Sequence, residues 1–311
     1  MTKVFIDGKE GTTGLQIFER FAGREDVEVL QISEELRKDV NERKRLINQS
    51  DFTFLCLPDD AAREAVSLVE NDNTRIIDAS TAHRTERGWV YGLPELTPTR
   101  REEIAAAKRV AVPGCYASGF NVLMYPMVKN GFIPQYYPVC CHAFSGYSGG
   151  GKKLIARYED ENRDASYDSV RMYAMGKTHK HIKEMMAVTG LAYPPAFCPS
   201  TADYYCGMLV NIPIHVRAMS KKATAQDVWE MLSKHYEGQH FVRVMPFGGE
   251  APSELYANPL AGTNMLNIYV YGNDDYILLT SQLDNLGKGA SGAAVQCMNI
   301  MMGIDERTGL E

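Results

Sequence analysis

Along the first third of the chain, short apolar runs alternate with charged stretches whose apolar residues recur at helical spacing. Residues 3–7, 27–32, 75–78 and 109–112 read as strands, and residues 14–22, 37–48, 59–70 and 99–108 as helices between them. Phe52-Thr53-Phe54-Leu55-Cys56-Leu57 is an almost unbroken apolar run, as expected of a parallel strand covered on both faces. Thr99-Arg100-Arg101-Glu102 has the spacing of a capping box. This βαβ alternation predicts a doubly wound parallel sheet.

From about residue 132 the pattern changes. Residues 137–144, 207–216, 264–271 and 276–283 are longer β-rich runs, and Gly272-Asn273-Asp274-Asp275 joins the last two as a hairpin. The fold class predicted is α/β: an N-terminal Rossmann doubly wound sheet, then a second α+β catalytic domain on a largely antiparallel sheet. A final helix, residues 290–302, is apolar on most faces and should be buried. The expected division is a dinucleotide-binding domain over 1–113, completed by 287–311, and a catalytic and oligomerisation domain over 114–286.

Composition narrows the function more than the fold. The 311 residues carry a net charge of −6 and no basic tract, which argues against general nucleic-acid binding. Seven scattered cysteines suggest neither a disulfide framework nor a C-x-x-C metal pair. No apolar run approaches the roughly 20 residues of a membrane helix, and the chain runs directly into its first strand without a visible signal peptide. A cytoplasmic location is expected.

The chemistry concentrates in a few segments. Gly8-Lys9-Glu10-Gly11-Thr12-Thr13-Gly14 lies between the first strand and first helix, where glycines let a pyrophosphate approach helix N–H groups. Gly8, Gly11, Thr12, Thr13 and Gly14 are therefore candidate cofactor contacts. At the end of the second strand, Ser33 with Arg37 or Lys38 favours the 2′-phosphate of NADP, although Glu34 intervenes; the alternative is that Arg37 and Lys38 are simply a solvated helix face. Pro113-Gly114 stops a strand and places Cys115 at a helix start, where N–H groups and the helix dipole favour a thiolate. The alternative there is a small buried hydrophobe.

Downstream of a strand, Asp78-Ala79-Ser80-Thr81-Ala82-His83-Arg84 ends in an arginine suited to an anionic substrate. Ser145-Gly146-Tyr147-Ser148-Gly149-Gly150-Gly151-Lys152-Lys153 could form an anion nest or a plain connection. In Lys177-Thr178-His179-Lys180-His181-Ile182-Lys183-Glu184, His181 and Glu184 share a helix face, which suits a carboxylate-oriented acid/base histidine. A metal there would need a further ligand, and none is assigned. The small residues of Asn285-Leu286-Gly287-Lys288-Gly289-Ala290-Ser291-Gly292 allow close packing or close ligand approach.

In this order, with Tyr204-Tyr205-Cys206-Gly207-Met208, these segments resemble the short form of the N-acetyl-γ-glutamyl-phosphate reductase family along essentially the whole chain. More distant relatives in that resemblance are the aspartate-semialdehyde and glyceraldehyde-phosphate dehydrogenases. The resemblance implies NADPH-dependent reductive dephosphorylation of N-acetyl-γ-glutamyl phosphate in arginine biosynthesis, by a homo-oligomer. It implies Cys115 as nucleophile and His179 or His181, with Glu184, as the acid/base group. It further implies Arg84 on the substrate side and Asn285 beside the nicotinamide; Ser145, Gly146 and Lys152 or Lys153 are further substrate-side candidates from the glycine-lysine loop. Ala117 stands where a proline is common and His83 where an aromatic is frequent. Another semialdehyde dehydrogenase, a cysteine acyltransferase and a non-catalytic NADP-binding regulator are the competing readings.

Overall fold

The computed structural model describes residues 1–176 and 179–311. The chain forms two compact units, one of residues 1–114 and 290–311, the other of residues 115–289.

The first unit is a six-stranded sheet in the order β2-β1-β3-β4-β6-β5. Its strands are β1 (Thr2–Asp7), β2 (Val27–Leu30), β3 (Phe52–Leu55), β4 (Arg75–Asp78), β5 (Val90–Tyr91) and β6 (Arg109–Ala111). All pairings are parallel. Between them run α1 (Thr12–Arg20), α2 (Val40–Gln49), α3 (Asp59–Ser67) and α4 (Arg100–Ala106). Every residue of β3 is buried, as its apolar run requires. Phe5, Leu46, Ile47, Leu55, Ala62 and Ile76 form one core of this unit. Each large apolar side chain buried there contributes about 1.5–3 kcal/mol. Because β2 and β3 flank β1 on opposite sides, the chain reverses direction beside β1. The carboxyl end of β1 is thus the ligand-binding edge of such a sheet.

Some local expectations change. β2 stops at Leu30, and Ser33, Arg37 and Lys38 lie in exposed turns before α2 rather than in a helix. The capping box at Thr99 does not form: its hydroxyl donates to Glu103 Oε1 at 2.7 Å, one residue beyond the expected partner.

The second unit carries a seven-stranded sheet, β11-β12-β13-β10-β7-β9-β8. Its strands are β7 (Cys140–Gly146), β8 (Arg171–Met172), β9 (Ala196–Ala202), β10 (Met208–His215), β11 (Val242–Val244), β12 (Leu266–Gly272) and β13 (Tyr276–Leu283). The β11/β12 and β7/β9 pairings are parallel and the others antiparallel, so the sheet is mixed. Its helices are α5 (Cys115–Lys129), α6 (Lys152–Tyr158), α7 (His181–Thr189) and α8 (Ala225–His235). α5 packs on β10 and β13 and against α7 and α8. At Gly119 the fit is so close that a Cβ would stand 2.6 Å from Ser281 Oγ and 2.7 Å from Val210 Cγ2. The Ser281 hydroxyl donates to the Gly119 carbonyl at 3.0 Å. This contact fixes α5 one turn from Cys115. The final helix α9 (Gly292–Met302) belongs to the first unit, where it packs on α1, α4 and β4, and it is buried nearly throughout.

Candidate active site

In the first unit, the loop after β1 forms a glycine cradle. Gly8 adopts φ +87°, and a Cβ there would sit 2.4 Å from the Cys56 carbonyl oxygen. A Cβ on Gly14 would stand 2.5 Å from the Gly8 oxygen. Only glycine fits at either position. Gly11 caps α1 without a side chain, so the first N–H groups of that helix face the loop. Thr12 Oγ1 is buried with no hydrogen-bond partner, and Thr13 follows in the same first turn. Backbone donors, a helix N-terminus and an unsatisfied hydroxyl fit the pyrophosphate of a dinucleotide. Beneath the loop, Asp7 is buried against Arg43, whose Nε donates to Asp7 Oδ2 at 3.0 Å and whose Nη1 donates to Glu64 Oε2 at 2.7 Å. Burial raises the Asp7 pKa despite the attraction of Arg43.

Arg84 is held at the same edge of this sheet. Its Nε donates to the Val112 carbonyl at 2.8 Å and its Nη2 to the Ala79 carbonyl at 3.2 Å. The preceding loop is tied down by Asp78, a fully buried carboxylate. Asp78 accepts from Ser80 N (2.9 Å), Ser80 Oγ (2.7 Å) and His83 Nδ1 (2.6 Å). The His83 ring stacks on Trp89 at 4.1 Å. His83 therefore has a structural explanation where an aromatic residue was expected: it is an orienting group for the loop that presents Arg84.

In the second unit, Cys115 is the first residue of α5 and is partly exposed. The strand-breaking Pro113-Gly114 and the strongly apolar sequence of α5 make the transition abrupt. Gly289 presses on the cysteine from the opposite segment; a Cβ at 289 would be 2.8 Å from Cys115 Cβ.

Next to Cys115, Tyr116 gathers the candidate histidines. Its ring lies 5.8 Å from that of His179 and 6.1 Å from that of His181. The two imidazoles are 4.7 Å apart. The His181 backbone N–H donates to His179 Nδ1 at 3.2 Å, so His179 Nδ1 is an acceptor there and a neutral ring carries its proton on Nε2. His181 and Glu184, in the first turn of α7, are both buried. Lys177 and Thr178, which begin this motif in the sequence, lie outside the described residues. Tyr173 donates to the Tyr116 hydroxyl at 3.2 Å, and Tyr116 to the Ser200 carbonyl at 3.2 Å. Burial pushes the Tyr173 phenol up to about 12 and Tyr116 well above its ordinary value, so both remain neutral donors. Tyr173 and Phe197, which packs at 5.2 Å from both Tyr116 and His179, have no motif that marks them.

The glycine-lysine loop after β7 is not an open anion nest. The N–H groups of Gly146, Tyr147 and Ser148 donate to the carbonyls of Gly207, Tyr204 and Tyr205. The glycines serve close packing instead: a Cβ on Gly146 would meet the Tyr205 oxygen at 2.3 Å. Ser145 is buried and donates to the Gly146 carbonyl at 3.0 Å, whereas Lys152 and Lys153 are exposed at the start of α6. Asn285 braces this loop. Its Oδ1 accepts from Gly207 N at 2.9 Å and its Nδ2 donates to Ser148 Oγ at 2.9 Å. Among the described residues, no group of three or more His, Cys, Asp or Glu could hold a metal ion, and no helix is long and apolar enough to cross a membrane.

Residues 3–107 match the family described as "Semialdehyde dehydrogenase, NAD binding domain", and residues 115–285 the "Semialdehyde dehydrogenase, dimerisation domain". N-acetyl-gamma-glutamyl-phosphate reductase 2 of Nostoc sp. is 46% identical, with 99% of each chain covered. The chain belongs to the N-acetyl-gamma-glutamyl-phosphate reductase family. Reductase 2 of Pseudomonas putida is 45% identical over 96% of each chain, and the reductase of Burkholderia ambifaria 43% identical over 97% of this chain and 96% of its own. As a member of this reductase family the chain is an oxidoreductase, and its first unit is a nicotinamide-dinucleotide domain. The aspartate semialdehyde dehydrogenase of Francisella tularensis shares the fold, with a TM-score of 0.72 at 14% identity over 97% of this chain and 100% of its own. Aspartate semialdehyde dehydrogenase II of Vibrio cholerae gives a TM-score of 0.70 at 15% identity, with 97% of this chain and 98% of its own covered.

Proposed function

We propose that the chain reduces N-acetyl-γ-glutamyl phosphate to N-acetylglutamate γ-semialdehyde in arginine biosynthesis, with NADPH as reductant and a thioester on Cys115. The observation that carries this reading is Cys115 at the start of α5, backed by Gly289 and followed by the Tyr116–His179–His181 cluster. The Cys115 thiolate attacks the γ-acyl carbon; the new S–C bond replaces the C–O bond to phosphate, which leaves with that electron pair. Arg84, pre-aimed by two backbone carbonyls, receives the phosphate charge. A nicotinamide dinucleotide held at residues 8–14 would supply the hydride that the thioester carbon accepts. Backbone N–H groups at the start of α5, with the positive end of its dipole, would stabilise the resulting oxyanion on Cys115. Collapse breaks the C–S bond, frees the aldehyde and returns the thiolate. His181 or His179, with Glu184 on the same helix, takes the thiol proton at the outset.

Gly8, Gly11, Thr12, Thr13 and Gly14 would hold the pyrophosphate, and Asn285 keeps one amide N–H for the nicotinamide side. Ser145 and Gly146 act by shaping the loop rather than by binding phosphate, and Lys152 remains a substrate-side candidate only through its exposed ammonium. A cytoplasmic setting suits the seven free thiols.

Two copies would meet on the open face of the seven-stranded sheet. There Phe144, Leu209, Pro213 and Leu278 stay partly exposed, while the alternating residues are buried. A dimer dissociated by Leu209→Glu, read by sedimentation, supports that surface; an unchanged assembly contradicts it.

The activity is tested in the reverse direction. N-acetylglutamate γ-semialdehyde, phosphate and NADP should give phosphate-dependent absorbance at 340 nm, roughly tenfold or more above aspartate semialdehyde. Equal or greater turnover of aspartate semialdehyde would overturn the substrate assignment.

A further inference from the structure

The residues first expected to read the cofactor's 2′-phosphate are exposed in the segment before α2. Arg37 is paired with Glu34 at 2.7 Å, with the two side chains 45% and 68% exposed. Ser33 and Lys38 are exposed in the same turn. In a doubly wound sheet the adenosine ribose lies at the carboxyl end of the second strand, where an NAD site places a carboxylate. Here β2 ends at Leu30 and the next residue is Gln31, so that position holds a neutral amide.

A cation reaches that amide from the glycine loop. Lys9 Nζ donates to Gln31 Oε1 at 3.2 Å and stands 3.5 Å from the centre of the Phe18 ring on α1. The aromatic face and the amide oxygen hold a flexible side chain in one place, which lowers the ordering cost of using its charge. An ammonium has three donors, so the contact with Gln31 leaves others for a ligand. A fixed positive charge between the pyrophosphate-binding glycines and the end of β2 matches a phosphate on the ribose 2′-oxygen.

We propose that Lys9, steadied by Gln31 and Phe18, reads the adenosine 2′-phosphate and sets the preference for NADPH over NADH. This deepens the cofactor assignment above and rests on it. The loop motif alone does not indicate it, because the residue between glycines is free to vary in that spacing.

Calorimetric titration of the intact protein with 2′,5′-ADP and with ADP tests the proposal without turnover. The wild type should bind 2′,5′-ADP more tightly. Lys9→Gln should lose about tenfold to a hundredfold in affinity for 2′,5′-ADP while changing ADP affinity by less than about twofold. Lys9→Arg should retain most of the preference, and kcat/KM for NADPH against NADH should follow the same order. Equal losses for both nucleotides in Lys9→Gln would mean that Lys9 only shapes the loop, and an unchanged preference would hand the role to Arg37 or Lys38; either result overturns the assignment. A wild type that fails to separate the two probes would defeat the NADPH reading itself, and the role of Lys9 with it.

Discussion

Replacing Gly289 by alanine is the sharpest test of how the nucleophile is held. The added Cβ would stand 2.8 Å from Cys115 Cβ, 3.0 Å from the Asp284 carbonyl oxygen and 3.2 Å from Cys115 Cα. Carbon atoms rest at about 3.5–4.0 Å, so the two segments must part by about 1 Å. Two of these neighbours are backbone atoms and the third is a Cβ, so no flexible side-chain end can yield instead. Overpacking of this kind costs about 1–3 kcal/mol of stability. A displacement of about 1 Å at a reacting atom costs about a hundredfold in rate. Gly289→Ala should therefore fold, melt a few degrees lower and lose about a hundredfold in kcat. Gly249→Ala is the control: no atom lies within 4 Å of its Cβ position, and its activity should be unchanged. Steady-state kinetics and circular-dichroism melting, run on the same preparations, separate the two effects. Wild-type kcat in folded Gly289→Ala would refute the claim that this contact positions Cys115.

Two further outcomes follow from the hydrogen bonds. Asn285→Ala strips partners from Gly207 N and Ser148 Oγ, both buried; it should cost about 2 kcal/mol or more, read as a lower urea midpoint, and an unchanged midpoint would show that the brace is idle. Asp26 has its carboxyl held below 3.8 mainly by hydrogen bonding from Arg24, so its contribution exists above that unfolded value and is lost as pH falls through the lower folded one. Asp26→Asn should thus lower stability at neutral pH by about 1 kcal/mol at most, since the carboxylate is partly exposed, and the gap should close below about pH 4; a gap that persists in acid would contradict it.

The residues that announced themselves in the sequence did so through local rules. The apolar run at Phe52–Leu55 could only be a covered parallel strand. Gly8 and Gly14 marked a turn that no side chain permits, and Pro113-Gly114 forced a break before Cys115. The hairpin of β12 and β13 was visible in its turn residues. What stayed hidden depends on contacts far apart in sequence. β9 contains Pro199 yet sits between two strands, which a local rule about proline in sheets rejects. β5 and β8 are only two residues long and exist through their neighbours. Tyr173 reaches Tyr116 from 57 positions away, so no motif could contain both. The loop at 145–151 looked like an anion nest because its glycines are visible, whereas the carbonyls of residues 204–207 that consume its N–H groups are not.

The central claim is that Cys115 carries the acyl group. Intact-mass analysis of the protein mixed with N-acetyl-γ-glutamyl phosphate, without reductant, reads it directly. A mass gain of one N-acetylglutamyl group, mapped by peptide analysis to Cys115, abolished in Cys115→Ser and discharged by NADPH, is the predicted result. Full turnover by Cys115→Ser, or an adduct that forms on another residue and is discharged by NADPH, would contradict the account.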